Sequence, residues 1–287
     1  MASVQLSSLG MLTFKTLLED AAVPPASVKM LRHQDNRYPG YPTPYVLWRD
    51  HRDRFEAYQQ TQAFGDAAKL RVPYWASFVG LPDKETMFVG LYAAKLIGPL
   101  PIDRPHPVTG GLERAGTCDL YQLELLPTLY EFSGRLWIDW GAGYRSWIQR
   151  GDGIAKPIIE LRRTFSEPAF PGFAELIINL SDIENFPTTW AAALASTRGV
   201  YLLTCPKTRE QYVGIASGSV GFLGRWREYY ATGHGGNVAM KSRDPSDYRI
   251  SILQTVGTAV TDDELRTLEV RWKDKLQSFE MGLNRNK

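Results

Sequence analysis

Two pairs of polar side chains in the last third of the sequence have the four-residue spacing of one helical turn. Arg225 precedes Tyr229, and Glu269 precedes Lys273, so each pair would lie on one face of a helix. A guanidinium can grip a phosphate through paired hydrogen bonds, and a single carboxylate completed by water suits Mg²⁺. The spacing alone shows only that each pair shares a helix face, and Glu269 and Lys273 could form an ordinary helical ion pair.

Two further tyrosines lie on a predicted hairpin. Residues 199–203 and 211–215 are short runs rich in β-branched and aromatic residues, and a turn over 205–209 joins them. Tyr201 and Tyr212 lie one in each run, with ten residues between them. Their hydroxyls could be satisfied inside a core or could face a ligand. A phenol has an ordinary pKa of about 10, so it ionises near neutral pH only beside a cation.

The pattern around these residues predicts a small α+β domain. The predicted elements alternate as strand, strand, helix, strand and helix: 199–203, 211–215, 225–231, 248–254 and a last helix ending near Leu276. Thr261, Asp262 or Asp263 can cap the last helix, because their side chains accept backbone hydrogen bonds and acidic residues favour a first turn. A glycine-rich loop, 218–224, leads into the first helix.

These residues resemble the GIY-YIG nuclease superfamily, which is named after two strand motifs. Here the motifs are Gly199-Val200-Tyr201 and Tyr212-Val213-Gly214. The family places an arginine early in the first helix, a histidine or tyrosine four residues on, a glutamate on a later helix and often an asparagine near the end. The matching positions are Arg225, Tyr229, Glu269 and Asn284. The resemblance covers about 198–287, and the step from the second tyrosine to the arginine is longer than in several members.

The resemblance implies a DNA endonuclease that hydrolyses phosphodiester bonds with Mg²⁺ or Mn²⁺. Glu269 would hold the metal, which acts as a Lewis acid on a non-bridging oxygen and on the leaving 3′ oxygen. Arg225 would stabilise charge on the phosphate. Tyr201 would be the general base or would position the water, and Tyr212 and Tyr229 would orient water or phosphate.

Other candidates surround this set. His234 stands in the glycine-rich loop 233–237 and could shuttle protons near neutral pH, or it could only hold the loop. The candidate DNA contacts are Arg227, Asn237, Lys273 and Asn284. Structural roles in a loop or a cap are the alternatives for the two asparagines.

The first 165 residues predict a different, β-rich domain with short helices. Helices are expected within 14–34, and strands are expected at 45–48, 74–78, 86–92, 119–123 and 135–140. A curved sheet or a small barrel would follow from these strands. A linker with one helix, 166–197, would join this domain to the second. Five tryptophans could line a pocket for a flipped or modified base, or could be core: Trp48, Trp75, Trp137, Trp140 and Trp147.

The chain as a whole has an ordinary globular composition. Hydrophobic residues make up 44% and charged residues 22%. No apolar run approaches the roughly 20 residues that cross a bilayer, and the first residues lack the pattern of a secretory signal. Two cysteines suit a reducing compartment. We therefore expect a cytoplasmic protein of bacterial type with no membrane partner.

The distribution of charge favours DNA as the partner. The last 90 residues carry 14 Lys and Arg against 10 Asp and Glu, and a basic excess suits contacts with phosphates. We expect a restriction or defence endonuclease on double-stranded DNA, with the first domain giving site or modified-base specificity. A repair or recombination nuclease and a DNA-binding protein that does not cut are the alternatives. With one site per chain, cutting both strands would need a homodimer or two successive nicks.

Overall fold

The chain forms two compact units, Met1–Ser166 (unit 1) and Glu167–Lys287 (unit 2). The computed structural model describes residues 12–34, 37–142, 146–237, 240 and 247–284. Both units combine helices with strands, so the predicted α+β class is confirmed. None of the helices in the described ranges has the length and apolar character needed to cross a bilayer.

Unit 1 has four helices and ten strands in its described residues. The helices are α1 (Phe14–Asp20), α2 (Pro44–Asp50), α3 (Arg52–Gln60) and α4 (Ala67–Leu70). The strands are β1 (Val28–His33), β2 (Thr61–Gln62), β3 (Tyr74–Gly80), β4 (Thr86–Pro99), β5 (Arg104–Pro105), β6 (Leu112–Glu113), β7 (Asp119–Leu125), β8 (Leu136–Ile138), β9 (Ile148–Arg150) and β10 (Ile158–Leu161). Short 3₁₀ turns lie at Pro25–Ser27, Phe64–Asp66 and Tyr130–Phe132.

Most strands of unit 1 join one mixed sheet. Its order is β10-β8-β4-β3-β1-β9, and β7 pairs with both β4 and β2. β1 runs parallel to β3, whereas β4 is antiparallel to β3. Alternate residues of β3 face opposite sides: Phe78 packs with Phe14 of α1, and Val79 packs with Leu47 of α2 and Phe55 of α3. Helices therefore cover both faces of the sheet centre.

Two predictions for unit 1 are wrong. Residues 28–33 were expected within a helix and form β1, whose side chains are nearly all buried. Continuous burial is typical of a parallel strand covered on both faces. Such a strand lacks the alternation of polar and apolar residues by which a strand is identified in a sequence. Residues 45–48 were expected in a strand and lie in α2, because Thr43 accepts a hydrogen bond from Val46 N at 3.3 Å and Pro44 starts the helix. The other predicted strands are present as β3, β4, β7 and β8.

The tryptophans of unit 1 are mainly core residues. Trp75, Trp137 and Trp140 are buried in hydrophobic clusters, so a base-stacking role for them is wrong. Trp147 is half-buried. Trp48 is also largely buried, but it lines a surface cleft.

Unit 2 is built on a four-stranded antiparallel sheet. Its strands are β11 (Ile177–Asn179), β12 (Arg198–Thr204), β13 (Gln211–Ala216) and β14 (Arg249–Val256), in the order β11-β14-β12-β13. Its helices are α5 (Thr188–Ala195), α6 (Gly221–Thr232) and α7 (Asp262–Leu276). The predicted hairpin and both predicted helices are therefore present. Thr261 caps α7 in a capping box with Glu264.

Part of the predicted linker belongs to unit 2. β11 pairs with β14 and so extends the sheet. A 3₁₀ helix, Leu180–Asn185, precedes α5, whose Trp190 and Leu194 are buried in the same core as Tyr201. The Trp190 indole donates to Pro168 O at 3.0 Å. Residues of 166–197 thus help to form the core against which the candidate site is packed.

The two faces of this sheet carry different helices. Along β12, Tyr201 and Leu203 join the core formed with α5 and α6, whereas Val200 packs with Leu265 of α7. Because side chains alternate along a strand, α6 and α7 cover opposite faces. Candidate residues on the α6 face can therefore contact one another, whereas those on α7 lie on the other side of the sheet.

Candidate active site

Three tyrosines and one arginine come together on the α6 face of the unit 2 sheet. The Tyr201 hydroxyl donates to the Tyr229 hydroxyl at 3.3 Å, and Arg225 Nη2 donates to the same oxygen at 3.4 Å. The Arg225 guanidinium lies 5.0 Å from the centre of the Tyr229 ring. The rings of Tyr212 and Tyr229 are 6.0 Å apart. The structure therefore brings together four residues that the sequence predicted. We call them the tyrosine–arginine cluster.

Two glycines make room for this cluster. A β-carbon at Gly214 would lie 2.6 Å from the Tyr201 hydroxyl oxygen and 2.8 Å from the Tyr212 ring. A β-carbon at Gly235 would lie 2.7 Å from the Tyr229 ring, and this residue has a positive φ of 51°, which favours glycine. The glycine of the second strand motif and the loop after α6 are thus required for the packing of the tyrosines.

Burial keeps two of the tyrosines neutral. Removal from water raises the pKa of both Tyr201 and Tyr229 well above the usual range, and the Arg225 charge lowers both values by less. Tyr201 is completely buried. In this arrangement Tyr201 is a protonated hydrogen-bond donor without access to water. The expectation that it acts as the general base therefore does not follow from this geometry, whereas a positioning role does.

Arg225 retains its charge in the cluster. Burial alone would lower its pKa, but the neighbouring phenols and the Glu228 carboxylate outweigh that effect and raise it. Arg225 also forms an ion pair with Glu228, three residues later on α6. Its side chain is 30% exposed, so the guanidinium is accessible to an anion from solvent. The Glu228 contact was not predicted, although the three-residue spacing on a helix could have indicated it.

Tyr212 is the most accessible tyrosine of the cluster. It is half-buried on β13, the edge strand of the sheet. Its hydroxyl forms no hydrogen bond with any residue in the described ranges, in contrast to the paired hydroxyls of Tyr201 and Tyr229. The Tyr212 hydroxyl can therefore donate to a phosphate oxygen, or donate to or accept from a water molecule.

Glu269 lies apart from the cluster. It is on α7, which packs on the other face of the sheet, and its carboxylate Oε1 is 3.0 Å from Lys273 Nζ. The two side chains are 15% and 9% exposed. Lys273 is thus a largely buried partner of Glu269 rather than an open DNA contact. The helical ion pair, the alternative left open by the sequence, is present.

The two asparagines have structural contacts. Asn284 is buried, and its side-chain amide accepts from Val213 N and donates to Val213 O, both at 2.9 Å. It therefore extends the β13 edge as a strand would, which leaves it unavailable to DNA and corrects the prediction. Asn237 Oδ1 accepts from Met240 N at 3.1 Å, and its amide nitrogen lies 3.4 Å from Leu283 O.

His234 and Arg227 also have protein partners. The His234 Nδ1 accepts a hydrogen bond from Gly236 N at 2.9 Å, so Nδ1 is unprotonated there and Nε2 carries the proton of the neutral ring. The Arg227 guanidinium donates to both carboxylate oxygens of Glu184, at 2.9 and 3.2 Å. Arg227 is exposed, so DNA would have to compete with this ion pair.

One carboxylate on the α7 face could hold a divalent cation. No group of three acidic, histidine or cysteine side chains is gathered within the described part of the chain. Glu269 offers Oε2, since Lys273 contacts Oε1. A single carboxylate oxygen fits a hydrated cation that takes its other ligands from water and substrate, which is how Mg²⁺ commonly binds.

Comparisons with protein-family models, with curated proteins and with solved structures gave no significant match. The resemblance to the GIY-YIG superfamily therefore rests on the motifs in the sequence.

Proposed function

We propose that unit 2 is a GIY-YIG-type nuclease domain that hydrolyses phosphodiester bonds of double-stranded DNA. The observation that carries this proposal is the tyrosine–arginine cluster, in which the guanidinium of Arg225 donates to the Tyr229 hydroxyl, which also accepts from Tyr201, and the Tyr212 ring lies 6.0 Å from the Tyr229 ring. A phosphate needs a fixed positive charge and directed hydroxyl donors, and this cluster supplies both.

The exposure of each residue in the cluster determines the role that we propose for it. Arg225 grips the phosphate and stabilises the charge that grows in the transition state, because it is charged and partly accessible. Tyr212 orients the attacking water or a phosphate oxygen through its hydroxyl, which has no hydrogen-bond partner among the described residues. Tyr201 and Tyr229 are buried and neutral, and they hold the guanidinium in place.

Glu269 is the proposed metal ligand. A Mg²⁺ or Mn²⁺ ion bound there would supply Lewis-acid stabilisation to the phosphate and the leaving oxygen. Lys273 keeps one carboxylate oxygen occupied and so orients the other. We propose a restriction or defence role, and two chains would act together where both strands are cut.

A second candidate function has one observation in its favour. Glu269 belongs to the helix on the face opposite the tyrosine–arginine cluster, and its carboxylate contacts Lys273 alone among the described residues. A DNA-binding protein that does not cut would have this arrangement. Metal-dependent cleavage decides between the two.

The test is cleavage of supercoiled plasmid, base-modified phage DNA and branched junctions with Mg²⁺, Mn²⁺ or EDTA. We expect cutting that needs the metal and is lost in Glu269→Gln. Asp274→Asn is the matched control, because Asp274 is an exposed acid on the same helix. If Glu269→Gln cuts as fast as Asp274→Asn, Glu269 is not the metal ligand. If the wild type binds these DNAs and cuts none of them, the second candidate function is correct.

A further inference from the structure

Two adjoining clefts open on unit 1 beside α3. Their volumes are about 480 and 430 Å³, within the range that holds small ligands. Arg52 and Tyr130 line both clefts, so the two clefts adjoin at these residues and are taken together. We call the pair the α3 groove.

The first half of the α3 groove is suited to an anion. It is lined by three arginines, Arg49, Arg52 and Arg135, with Glu131 as the single acidic residue among its lining side chains. Arg49 is held by Asp50, and Arg135 donates to the backbone carbonyls of Arg162 and Glu131.

Among the described residues, Arg52 forms no ion pair within 4 Å, although its charge acts on the nearby Glu56 carboxyl group. Its guanidinium lies 4.5 Å from the centre of the Trp48 ring and donates no hydrogen bond to any residue in the described ranges. A guanidinium stacked on an aromatic ring is fixed in orientation and keeps its planar fork of donors for a phosphate. The side chain is exposed, so a ligand can approach it from solvent.

The second half of the groove contains an oriented carboxyl group. Glu56 lies one turn after Arg52 on α3, and its Oε1 accepts from the Tyr92 hydroxyl at 2.8 Å. Its Oε2 accepts from the Gln59 amide, which is itself held by Ser77 Oγ at 2.9 Å. Burial raises the pKa of Glu56. Three polar side chains, directly or through one another, therefore fix this carboxyl group where it lines the cleft.

Apolar and aromatic side chains surround the carboxyl group. Leu123 and Leu125 of β7 line this half, with Tyr130 at the junction of the two halves. Leu125 is 37% exposed and Tyr130 is 57% exposed. Exposed apolar surface beside a few oriented polar groups, here the half-buried Glu56 carboxyl group among them, is typical of a small-ligand site.

We propose that the α3 groove binds a nucleotide whose base carries an exocyclic amine, with the phosphate at Arg52 and the base amine at Glu56. Carboxylates accept hydrogen bonds from base amines, and Tyr130 and Leu125 supply faces on which a base can stack. The nucleotide can be a free mononucleotide or a nucleotide extruded from DNA, since both present the same phosphate and base. The inference concerns unit 1 and does not depend on cleavage by unit 2.

Calorimetric titration of the full chain with CMP, AMP and UMP tests the proposal. We expect CMP or AMP to bind about tenfold more tightly than UMP, because only the amine can donate to Glu56. Arg52→Ala should weaken the binding of every nucleotide about tenfold or more. Glu56→Gln should bring the CMP to UMP ratio to about one. Arg150→Ala is the matched control, because Arg150 is an exposed arginine on β9 that lines neither cleft.

Two further arms identify the source of the nucleotide and guard against misfolding. A short duplex with a mismatched cytosine, compared with its matched form, detects an extruded base: tighter binding of the mismatch that Arg52→Ala abolishes assigns the groove to DNA. Mononucleotide binding that the mismatched duplex does not displace assigns it to a free nucleotide. Tyr130→Ala alters only an exposed ring and should also weaken binding. The proposal is overturned if no mononucleotide binds and duplex binding is the same in Arg52→Ala, or if Glu56→Gln keeps the wild-type preference.

Discussion

The two faces of the unit 2 sheet hold their polar groups in different ways. On the α6 face, neutral hydroxyls and one guanidinium form a chain of hydrogen bonds, with Tyr201 and Tyr229 fully buried. On the α7 face, a carboxylate and an ammonium, Glu269 and Lys273, neutralise each other. The ion pair of the first face, Arg225 with Glu228, is exposed enough for an anion to compete for the guanidinium, whereas the ion pair of the second face is largely buried.

This difference affects how favourably each face can bind a charged ligand. An anion at Arg225 has to displace only the exposed Glu228, whose side chain is 59% exposed, and exposed ion pairs contribute little to stability. A cation at Glu269 enters beside a largely buried ammonium, which repels it. We therefore expect the α6 face to dominate binding of DNA and the α7 face to limit binding of the metal.

The largest expected effect is at Arg225. Arg225→Ala should reduce the rate of DNA cleavage about 10²–10³-fold, as loss of one donor to the transition state does in other enzymes. Arg225→Lys keeps the charge without the planar fork, so it should recover only part of that loss. Single-turnover rates on the best DNA substrate measure both. Arg266→Ala is the control, because Arg266 is an exposed arginine on α7. Equal rates for Arg225→Ala and this control would remove the α6 face from the proposed site.

The sequence was sufficient for the hairpin and the two helices of the candidate site. The β-branched and aromatic runs placed Tyr201 and Tyr212 on strands, and the cap candidates Thr261, Asp262 and Asp263 placed the start of α7, which Thr261 caps. Arg225 and Tyr229 met because a helix brings such a spacing together. These features depend on neighbours along the chain, which is why they could be predicted.

The remaining features depend on packing between distant segments. The face of the sheet that α7 covers, and hence the position of Glu269, follows from the burial of Val200 and Leu265 against each other, which no local pattern records. Asn284 meets Val213 only because the chain turns back along β13. In unit 1, β1 was missed because its apolar residues Val28, Met30 and Leu31 fit the buried side of a helix as well as a buried strand.

A smaller effect is expected on the α7 face. Lys273→Met should lower the free energy of unfolding by about 1–3 kcal/mol, because it leaves a mostly buried carboxylate without its partner. The double variant, Glu269→Gln with Lys273→Met, should lose less free energy of unfolding than the two single variants lose in total. Urea unfolding of all four proteins measures this coupling, and Lys275→Met on the exposed side of α7 is the control. Additive effects would mean that the ion pair contributes nothing to stability.

The same variant also tests the metal site. Without the ammonium, Glu269 should bind Mg²⁺ more strongly, so added Mg²⁺ should raise the melting temperature of Lys273→Met more than that of the wild type. The double variant should show no such rise. An equal rise in melting temperature in the wild type, Lys273→Met and the double variant would show that Mg²⁺ does not bind at Glu269. The difference between the two faces would then be limited to the ion pair.

The smallest expected effect concerns the neutral hydroxyls of the α6 face. Tyr201→Phe keeps the buried ring and removes the hydrogen bond to Tyr229, which should cost about 0.5–1.5 kcal/mol at neutral pH. The pKa of both tyrosines is raised by burial, so above about pH 10 the unfolded phenols lose protons that the folded ones keep. Stability therefore falls as the pH rises through this region.

The free energy of unfolding of Tyr201→Phe should fall less steeply with pH than that of the wild type, since one of the two buried phenols is absent. Urea unfolding at a series of alkaline pH values compares the slopes, and lysines contribute equally to both proteins. Parallel slopes would mean that Tyr201 ionises as readily in the folded chain as in the unfolded one. In that case the phenol would be accessible to base, and a role for Tyr201 as the general base would again be consistent with its environment.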